Sequence, residues 1–223
     1  MSRQDGSSID ITPTTTPTSF APSGIRPTNF TRIHRPEHEI SGTFVIDRGL
    51  RLPCPDGSYN LHLATTKNLT ANVYILPPSS SATQEDKGTA TSLVFSGVNV
   101  SVEIHRSGSV GDDYPLNIQI RFEKAATISL PRSFNGPLQL CTSGNFITFH
   151  RDLEPNFLLF SEVDGKTNGF IGEIDYSQLE DFDNVAGDKI NTLSWGSEQR
   201  RITLRYDDDK LKTQSRSTRV RMY

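Results

Sequence analysis

The sequence predicts an all-β domain built from repeated strand–turn–strand units and flanked by disordered tails. Several segments share one pattern: an apolar-x-apolar start, a small or polar turn, and then an alternating strand. Period-2 alternation that uses β-branched and aromatic side chains is typical of half-buried strands. No stretch of comparable length has helical periodicity except residues 176–187, which fit a short helix or a loop.

The repeated units recur at intervals of about 20 to 30 residues, and the interval widens to about 55 before the last unit. They are residues 61–77, 93–107, 117–133, 138–152 and 193–207. Repeats of this length favour coils that stack, because each unit completes the core of its neighbour. A solenoid-like stack is the first prediction. A two-sheet β-sandwich is the alternative, because sandwiches also join strands through closely spaced turns.

Composition divides the 223 residues into one domain and two tails. Residues 1–28 contain 15 Ser, Thr or Pro, and such a segment buries too little apolar surface to offset its ordering entropy. Residues 210–223 carry five Lys or Arg and no acid. We therefore expect a disordered tail at 1–28, a single all-β domain at 29–209 with a long insertion at 153–190, and a basic flexible tail at 210–223.

The segment "SLPRSFNGPLQL" (residues 129–140) joins two of the predicted strands. Pro131 and Pro137 cannot donate hydrogen bonds to a sheet, so they confine the segment between them to a corner. We expect Asn135-Gly136 to form the tight turn, since both residues tolerate positive φ. Phe134 is predicted to fold back onto the core.

The same segment, together with "PTNFTRIHRPEHEISGTFVID" and "LFSEVDGKTNGFIGE", resembles a family of mainly basidiomycete fungal proteins known as a domain of unknown function. That family shares a Leu-Pro-Arg-Ser-Phe-x-Gly-Pro-Leu corner, a Ser-Glu-Val-x-Gly segment, and strands joined by Ser-Thr-Asn-Gly-Ser-type turns. The resemblance runs from about residue 27 to 209 and implies the repeated fold without an activity. The turns depart from the family pattern, as in "TKNLTA" and "GVNVSV". If these turns stack into a functional column in other members, we expect this chain to lack it.

Net charge, hydropathy and cysteine content limit the partners and the cellular compartment that we expect for the protein. A net charge of −3 argues against a nucleic-acid surface across the domain, which needs a basic excess. The N-terminus lacks an apolar signal region and no apolar run reaches 18 residues, so we expect no membrane association. The two cysteines, Cys54 and Cys141, are too few for a disulfide framework. We expect an intracellular, cytoplasmic protein, with nuclear import through the basic tail as an alternative.

The strongest candidate site is a basic stripe at the strand ends. His105-Arg106 and His150-Arg151 each end a strand, and Arg132 takes the equivalent position in the unit between them. If the units stack in register, these five residues line up and could hold a phosphate or carboxylate through charge-assisted bonds. The competing interpretation is that strand ends emerge into solvent and carry charges for solubility.

Other chemistry has weaker support. His34 and His38 have the i, i+4 spacing of helical metal ligands, but Pro36 argues against a helix there and no third ligand is indicated. No nucleophile elbow or phosphate-binding glycine loop occurs, so we predict no metal and no cofactor. Five aromatic residues could line a groove for an apolar or sugar ligand, although their alternation favours the core. They are Phe157, Phe160, Phe170, Trp195 and Tyr206.

These observations favour a non-catalytic binding or scaffold module that recognises a protein or a small anionic ligand. The alternative is an enzyme, such as a hydrolase, isomerase or cyclase, whose His/Arg/Asp pocket is assembled from distant residues. Active sites without local motifs occur on many folds, so both classes remain open. A pocket holding His105 or His150 beside a carboxylate would favour the enzyme.

Overall fold

The computed structural model describes residues 21–50, 59–77, 89–106, 114–141, 146–174, 187–195 and 200–208. Within them lies one short 3-10 helix, Glu154–Asn156, and twelve strands belonging to a single sheet. The strands are β1 (Thr31–His34), β2 (Ile40–Ile46), β3 (Leu61–Ala64), β4 (Leu69–Ile75), β5 (Thr91–Arg106), β6 (Leu116–Leu130), β7 (Gly136–Cys141), β8 (Phe146–Phe149), β9 (Phe157–Val163), β10 (Lys166–Ile171), β11 (Lys189–Ser194) and β12 (Arg201–Tyr206). The all-β prediction is confirmed.

Two predictions fall outside this part of the chain. Cys54 and residues 176–186 of the possible helix lie outside the described residues. No helix in the described ranges is long and apolar enough to cross a bilayer.

Alternation along each strand builds the core. In β4, Leu69, Ala71, Val73 and Ile75 are buried, while Thr70 is exposed. Successive side chains of a strand point to opposite faces, so one face of each strand supplies apolar residues to a single hydrophobic cluster. In β4 the apolar-x-apolar pattern of the sequence therefore predicts the inward face correctly.

By their pairing the strands other than β9 and β10 fall into six groups, which we call units and number in chain order. They are β1–β2, β3–β4, β5, β6, β7–β8 and β11–β12. Four of the units hold two strands each, whereas β5 and β6 are single continuous strands, so the strand–turn–strand form predicted for residues 93–107 and 117–133 is wrong.

The first four units pair in sequence order and in parallel, each half of a unit with the matching half of the next. β5 and β6 each run through both halves of their unit. In the pairing of β5 with β6, a register shift between Gly97 and Asn99 marks the corner between the two halves. The choice between a solenoid-like stack and a sandwich stays a prediction.

The sixth unit lies between the fourth and the fifth. β11 pairs in parallel with β6 on one side and with β7 on the other. β12 likewise pairs in parallel with β6 and β8. The fifth unit follows the fourth directly in the chain but is separated from it in the sheet by the C-terminal unit, which completes the ladders of both.

Side-chain amides connect neighbouring units. At the corners, Asn99 Nδ2 donates to Asn68 Oδ1 at 2.9 Å, and Asn68 Nδ2 donates to Glu39 Oε1 at 2.7 Å. Before the first strands, Asn60 Nδ2 donates to Asn29 Oδ1 at 2.8 Å. Such bonds between equivalent positions oppose slippage of one unit against the next. These corners therefore still stack although their sequences depart from the family pattern.

The insertion contributes an antiparallel hairpin. β9 and β10 are joined through Asp164 and Gly165, whose φ values are 52° and 70°. Two successive residues with positive φ are typical of the primed turns that close two-residue hairpins. β10 pairs with β7, so β9 forms one end of the strand order and β1 the other.

The corner between β6 and β7 differs from the prediction in one respect. Phe134 is 2% exposed, which confirms that it folds back onto the core. The tight turn predicted at Asn135-Gly136 is wrong, because neither residue has positive φ and the turn is instead closed by Phe134 N donating to Pro131 O at 2.9 Å. Gly136 serves close packing: a Cβ there would lie 1.8 Å from the carbonyl oxygen of Asp188.

Candidate functional site

The five residues of the predicted basic stripe lie where the second half of a unit ends. His105 and Arg106 are the last residues of β5, Arg132 lies two residues beyond β6, and His150 and Arg151 follow β8. These strands are parallel or connected through parallel neighbours, so their carboxyl ends meet at one side of the sheet. The structure therefore brings the five residues to the same side.

The sixth unit adds acidic residues to this row. Because β12 lies between β6 and β8, Asp207 and Asp208, which directly follow β12, enter the row between Arg132 and His150. Both the basic residues and the acidic run can be seen in the sequence. Their proximity cannot, because the position of the acidic run depends on the order of the units in the sheet.

Arg106 forms a buried network with Asp188. The guanidinium and the carboxylate make two parallel bonds of 2.9 Å, and each side chain is 5% exposed. Asp188 also accepts from the backbone N–H groups of Leu116 and Asn135 at 2.9 and 3.0 Å, and Arg106 donates to the carbonyl oxygen of Ser133 at 2.6 Å. The donors of Arg106 are thus engaged inside the protein, which indicates a structural role.

His105 lies between two carboxylates. Its Nδ1 is 2.9 Å from Asp207 Oδ2, and its Nε2 is 3.3 Å from Glu103 Oε1. The imidazole stacks on the ring of Tyr74, with centroids 4.4 Å apart. A protonated imidazole donates from both nitrogens and a neutral one from a single nitrogen, so the charge of His105 decides how many of these contacts are hydrogen bonds.

Arg132 is more exposed and has acidic neighbours too. Its Nε donates to Asp208 Oδ2 at 2.7 Å, and its Nη2 is 3.7 Å from Asp152 Oδ2. The guanidinium also lies over the ring of Tyr206, 4.7 Å from the centroid. Exposed pairs of this kind contribute little to stability.

His150 and Arg151 lie at the turn after β8. The backbone N–H of His150 donates to Leu204 O at 2.8 Å, and its carbonyl oxygen accepts from Leu153 and Glu154 at 2.9 and 3.0 Å. The Arg151 side chain is exposed. Anion binding by the stripe stays a prediction, and an anion there would compete with the carboxylates that contact His105, Arg106 and Arg132.

A second candidate site is a groove along the corners between the two halves of the units. Its volume is about 280 Å³, and its lining includes His34, Thr65, Ser96, Glu123 and Trp195. The groove brings together an imidazole, hydroxyl groups, a carboxylate and an indole ring. Neither His105 nor His150 lines it.

The exposure of Trp195 overturns its assignment to the core. The pattern "LSW" predicts that Leu193 and Trp195 face inward, but they are 53% and 39% exposed. The inward residues of β11 are instead Ile190 and Thr192, at 1% and 2% exposure. A shift of one residue exchanges the two faces of a strand, and the polar inward Thr192 hides the true register in the sequence. Its hydroxyl accepts from the backbone N–H of Cys141 at 3.1 Å.

The other aromatic residues divide between core and surface. Phe170 and Tyr206 are buried, and Phe157 packs against the core, where it stacks on Phe149. Phe160 is exposed, so its assignment to the core is also wrong.

A basic cluster lies beside the groove on the outer face of the first halves of the units. Burial, followed by electrostatic repulsion from Arg32, Arg121 and His34, holds the pKa of His62 below its usual value. Arg32 pairs in register with His62, and Ser96 of the groove pairs with Arg121. Sequence reasoning missed this cluster because its members come from three separate strands.

Comparison with known proteins identifies the family to which the chain belongs. The family described as "Domain of unknown function (DUF7330)" matches residues 29–209, and the chain therefore belongs to this family. No curated protein and no solved structure shows significant similarity to the chain.

Proposed function

We propose that this member of the DUF7330 family is a non-catalytic binding module that takes up an extended segment of a partner protein along β9. The observation that carries the proposal is the exposed apolar surface of this strand. Leu158, Leu159 and Val163 are 37%, 49% and 61% exposed. Runs of exposed apolar residues are costly in solution and are typical of surfaces that another molecule covers.

The backbone of β9 is suited to strand addition. Among the described strands, β9 pairs with β10 alone and lies at the end of the strand order. A strand at a sheet edge offers unpaired N–H and C=O groups, which an incoming peptide can satisfy while pockets between side chains select its sequence. A register shift between Asn168 and Gly169 interrupts the β9–β10 ladder. Such a bulge limits indiscriminate pairing.

Charge indicates the chemistry of the partner. Glu162 and Asp164 are exposed on β9 and its turn, with Lys166 as the nearest base in sequence. A basic segment that alternates apolar and positively charged residues would complement this edge. Leu158 and Val163 share one face of β9, which its apolar side chains would cover, and Glu162 shares the other face with Leu159, along which its positively charged side chains would lie with their aliphatic stems over the leucine.

The opposite end of the sheet holds two edge strands, β1 and β2. β1 has four residues and carries Arg32 and His34, and the end of β2 is covered by a bridge between Thr28 and Ile46, so both edges are less open than β9.

The proposal includes a solenoid-like stack as the scaffold that presents β9. Parallel pairing in register supports it, because inward residues of successive units occupy equivalent positions. One such row is Leu61, Leu93, Ile118, Ile190 and Leu138. In a stack, the open edges are at the two ends, which leaves the β9 end for the partner.

We also propose an intracellular setting, in the cytoplasm, with the basic segment 210–223 as an alternative nuclear signal. Cys141 is a free thiol, and free thiols suit reducing compartments. Subcellular fractionation with and without residues 210–223 tests both parts.

The experiment on β9 uses fluorescein-labelled peptides and the full chain. A peptide alternating Val and Lys should bind with micromolar affinity, while one alternating Val and Glu should not. Leu159→Ser and Glu162→Gln should each weaken binding about tenfold, and Leu193→Ser, an exposed control three strands away, should leave it unchanged. Failure of the basic peptide to bind, equal binding of both peptides, or a dimer abolished by Leu159→Ser would each contradict the proposal. A chain lacking residues 210–223 should bind at least as tightly.

An enzyme remains the second candidate because of one geometric observation, the placement of His105 between Glu103 and Asp207. A histidine oriented by a carboxylate can act as a general base. Its test is a turnover screen with ester, lactone and sugar-phosphate substrates. Turnover that His105→Asn abolishes, with the fold intact, would favour this candidate.

A further inference from the structure

The groove at the corners contains an aromatic residue and a carboxylate side by side. Ser194 pairs in register with Phe122, and the backbone N–H of Trp195 donates to Phe122 O at 3.0 Å. The next residues, Trp195 and Glu123, are therefore neighbours across β11 and β6, and both line the groove. The exposed indole forms one wall of the groove and the carboxylate lies next to it.

The rest of the lining, together with Glu123, supplies hydrogen-bonding groups. In the described part of the chain, no hydrogen bond or ion pair engages the side chains of His34, Ser96 or Glu123, and all three line the groove. Thr65 and Thr66 are different, because their hydroxyls donate to the carbonyl oxygens of His38 and Pro36. The groove thus offers a carboxylate acceptor together with imidazole and hydroxyl groups that both donate and accept.

We propose that this groove binds a neutral carbohydrate, with one sugar ring lying against Trp195 and its hydroxyls bonded to Glu123, Ser96 and His34. A sugar ring has an apolar face for the indole and hydroxyls that donate to a carboxylate, which matches this set of groups. The carboxylate of Glu123 disfavours an anion in the groove. The positive charges of Arg32 and Arg121, beside the groove, disfavour a cation.

The size of the groove limits the ligand. Pockets for drug-sized molecules span about 300–1,000 Å³, and this groove, at about 280 Å³, lies just below that range. It therefore accepts on the order of one ring, with the rest of an oligosaccharide extending into solvent. We expect millimolar affinity for a monosaccharide, because few hydrogen bonds are available to offset the loss of freedom on binding.

Trp195 is the single tryptophan of the chain, so its fluorescence reports directly on the groove. The experiment titrates the full chain with glucose, galactose, mannose, xylose and N-acetylglucosamine while recording tryptophan emission. At least one sugar should shift the emission to shorter wavelength with saturation, since a ring stacked on the indole displaces water. Phosphate and arginine serve as the anionic and cationic probes.

Two Glu→Gln substitutions distinguish sugar binding in the groove from sugar binding elsewhere on the surface. Glu123→Gln should weaken sugar binding about tenfold, because it removes a charged acceptor. Glu162→Gln, at the distant β9 edge, should leave sugar binding unchanged. Absence of any saturable shift with the sugars, a shift with phosphate or arginine instead, or unchanged sugar binding by Glu123→Gln would each overturn the proposal. The β9 peptide assay should be unaffected by Glu123→Gln, so the two proposals fail independently.

Discussion

Arg106 and Asp188, 82 residues apart in the chain, form a bidentate ion pair in which each side chain is 5% exposed. Arg106 ends the third unit, and Asp188 directly precedes β11 of the sixth. The carboxylate also binds the backbone of Leu116 and Asn135, at the beginning of β6 and in the corner that leads to β7. This pair therefore fixes the C-terminal unit at the point where it enters between two units made earlier in the chain.

The first prediction concerns this ion pair. Asp188→Asn should lower the free energy of unfolding by about 3–5 kcal/mol, because it leaves the buried guanidinium without its counter-charge. Asp208→Asn, which removes the exposed partner of Arg132, should cost less than about 1 kcal/mol. Urea denaturation of both variants measures the difference. Equal losses would mean that the buried pair contributes no more than a surface pair.

The second prediction concerns the packing of Gly136 against the same segment. Gly136→Ala should destabilise the protein by about 3 kcal/mol or more, because the added Cβ would lie 1.8 Å from Asp188 O and 2.9 Å from Asp188 N. Gly42→Ala is the control, since its Cβ would meet only the Phe44 ring at 3.4 Å. Thermal unfolding of the two variants provides the comparison. A Gly136→Ala protein as stable as Gly42→Ala would show that β11 does not approach β7 this closely.

Sequence reasoning succeeded where a property is local to one strand. The alternation that indicates a strand also indicates its buried face, as in β4, and the two prolines around Phe134 correctly predicted a corner. It failed where one inward position is polar, as at Thr192, because the apolar pattern then favours the wrong face.

The order of the units is not a local property. Leu138 of the fifth unit and Ile190 of the sixth are both buried apolar residues at equivalent positions, so either could pack on the fourth unit. The pairing of Arg106 and of His105 with acids depends on this order. For this reason the basic stripe could be predicted from the sequence, whereas its pairing with acidic residues could not.

The third prediction concerns the pH dependence of stability. Burial, followed by electrostatic repulsion from Arg32, Arg121 and His34, lowers the pKa of His62, whose ring also lies 5.5 Å from that of Tyr59. Above the unfolded pKa of about 6.5, His62 is neutral in both states and its contribution is complete. As the pH falls below that value, the unfolded chain takes up a proton first, so this contribution is lost toward the lower folded pKa.

His62→Gln removes that titration. The stability of the wild type relative to His62→Gln should therefore fall over the pH range below the unfolded value of about 6.5. Urea denaturation across this range measures it, and Arg121→Gln should reduce the fall because one of the charges that lower the pKa is gone. A difference that is constant or that grows on acidification would contradict the assignment.

The fourth prediction tests the position of the sixth unit. A chain ending at residue 208 keeps β11 and β12 and should unfold cooperatively at nearly the temperature of the full chain. A chain ending at residue 187 lacks both strands and the buried residues Ile190, Ile202 and Leu204. It leaves β6 without a partner on one side and β7 and β8 separated from the rest of the sheet.

The shorter chain should therefore show no cooperative transition in calorimetry. Cooperativity is lost because β11 and β12 pair with β6 on one side and with β7 or β8 on the other, so their removal breaks the hydrogen bonds on both sides. Several fully buried apolar side chains also lose their contacts. A truncated chain that still melts cooperatively with native strand content would mean that the fifth unit packs directly on the fourth. In that case His105 and Arg132 would have lost Asp207 and Asp208 without loss of the fold, and anion binding by the basic stripe could be tested without competition from these two carboxylates.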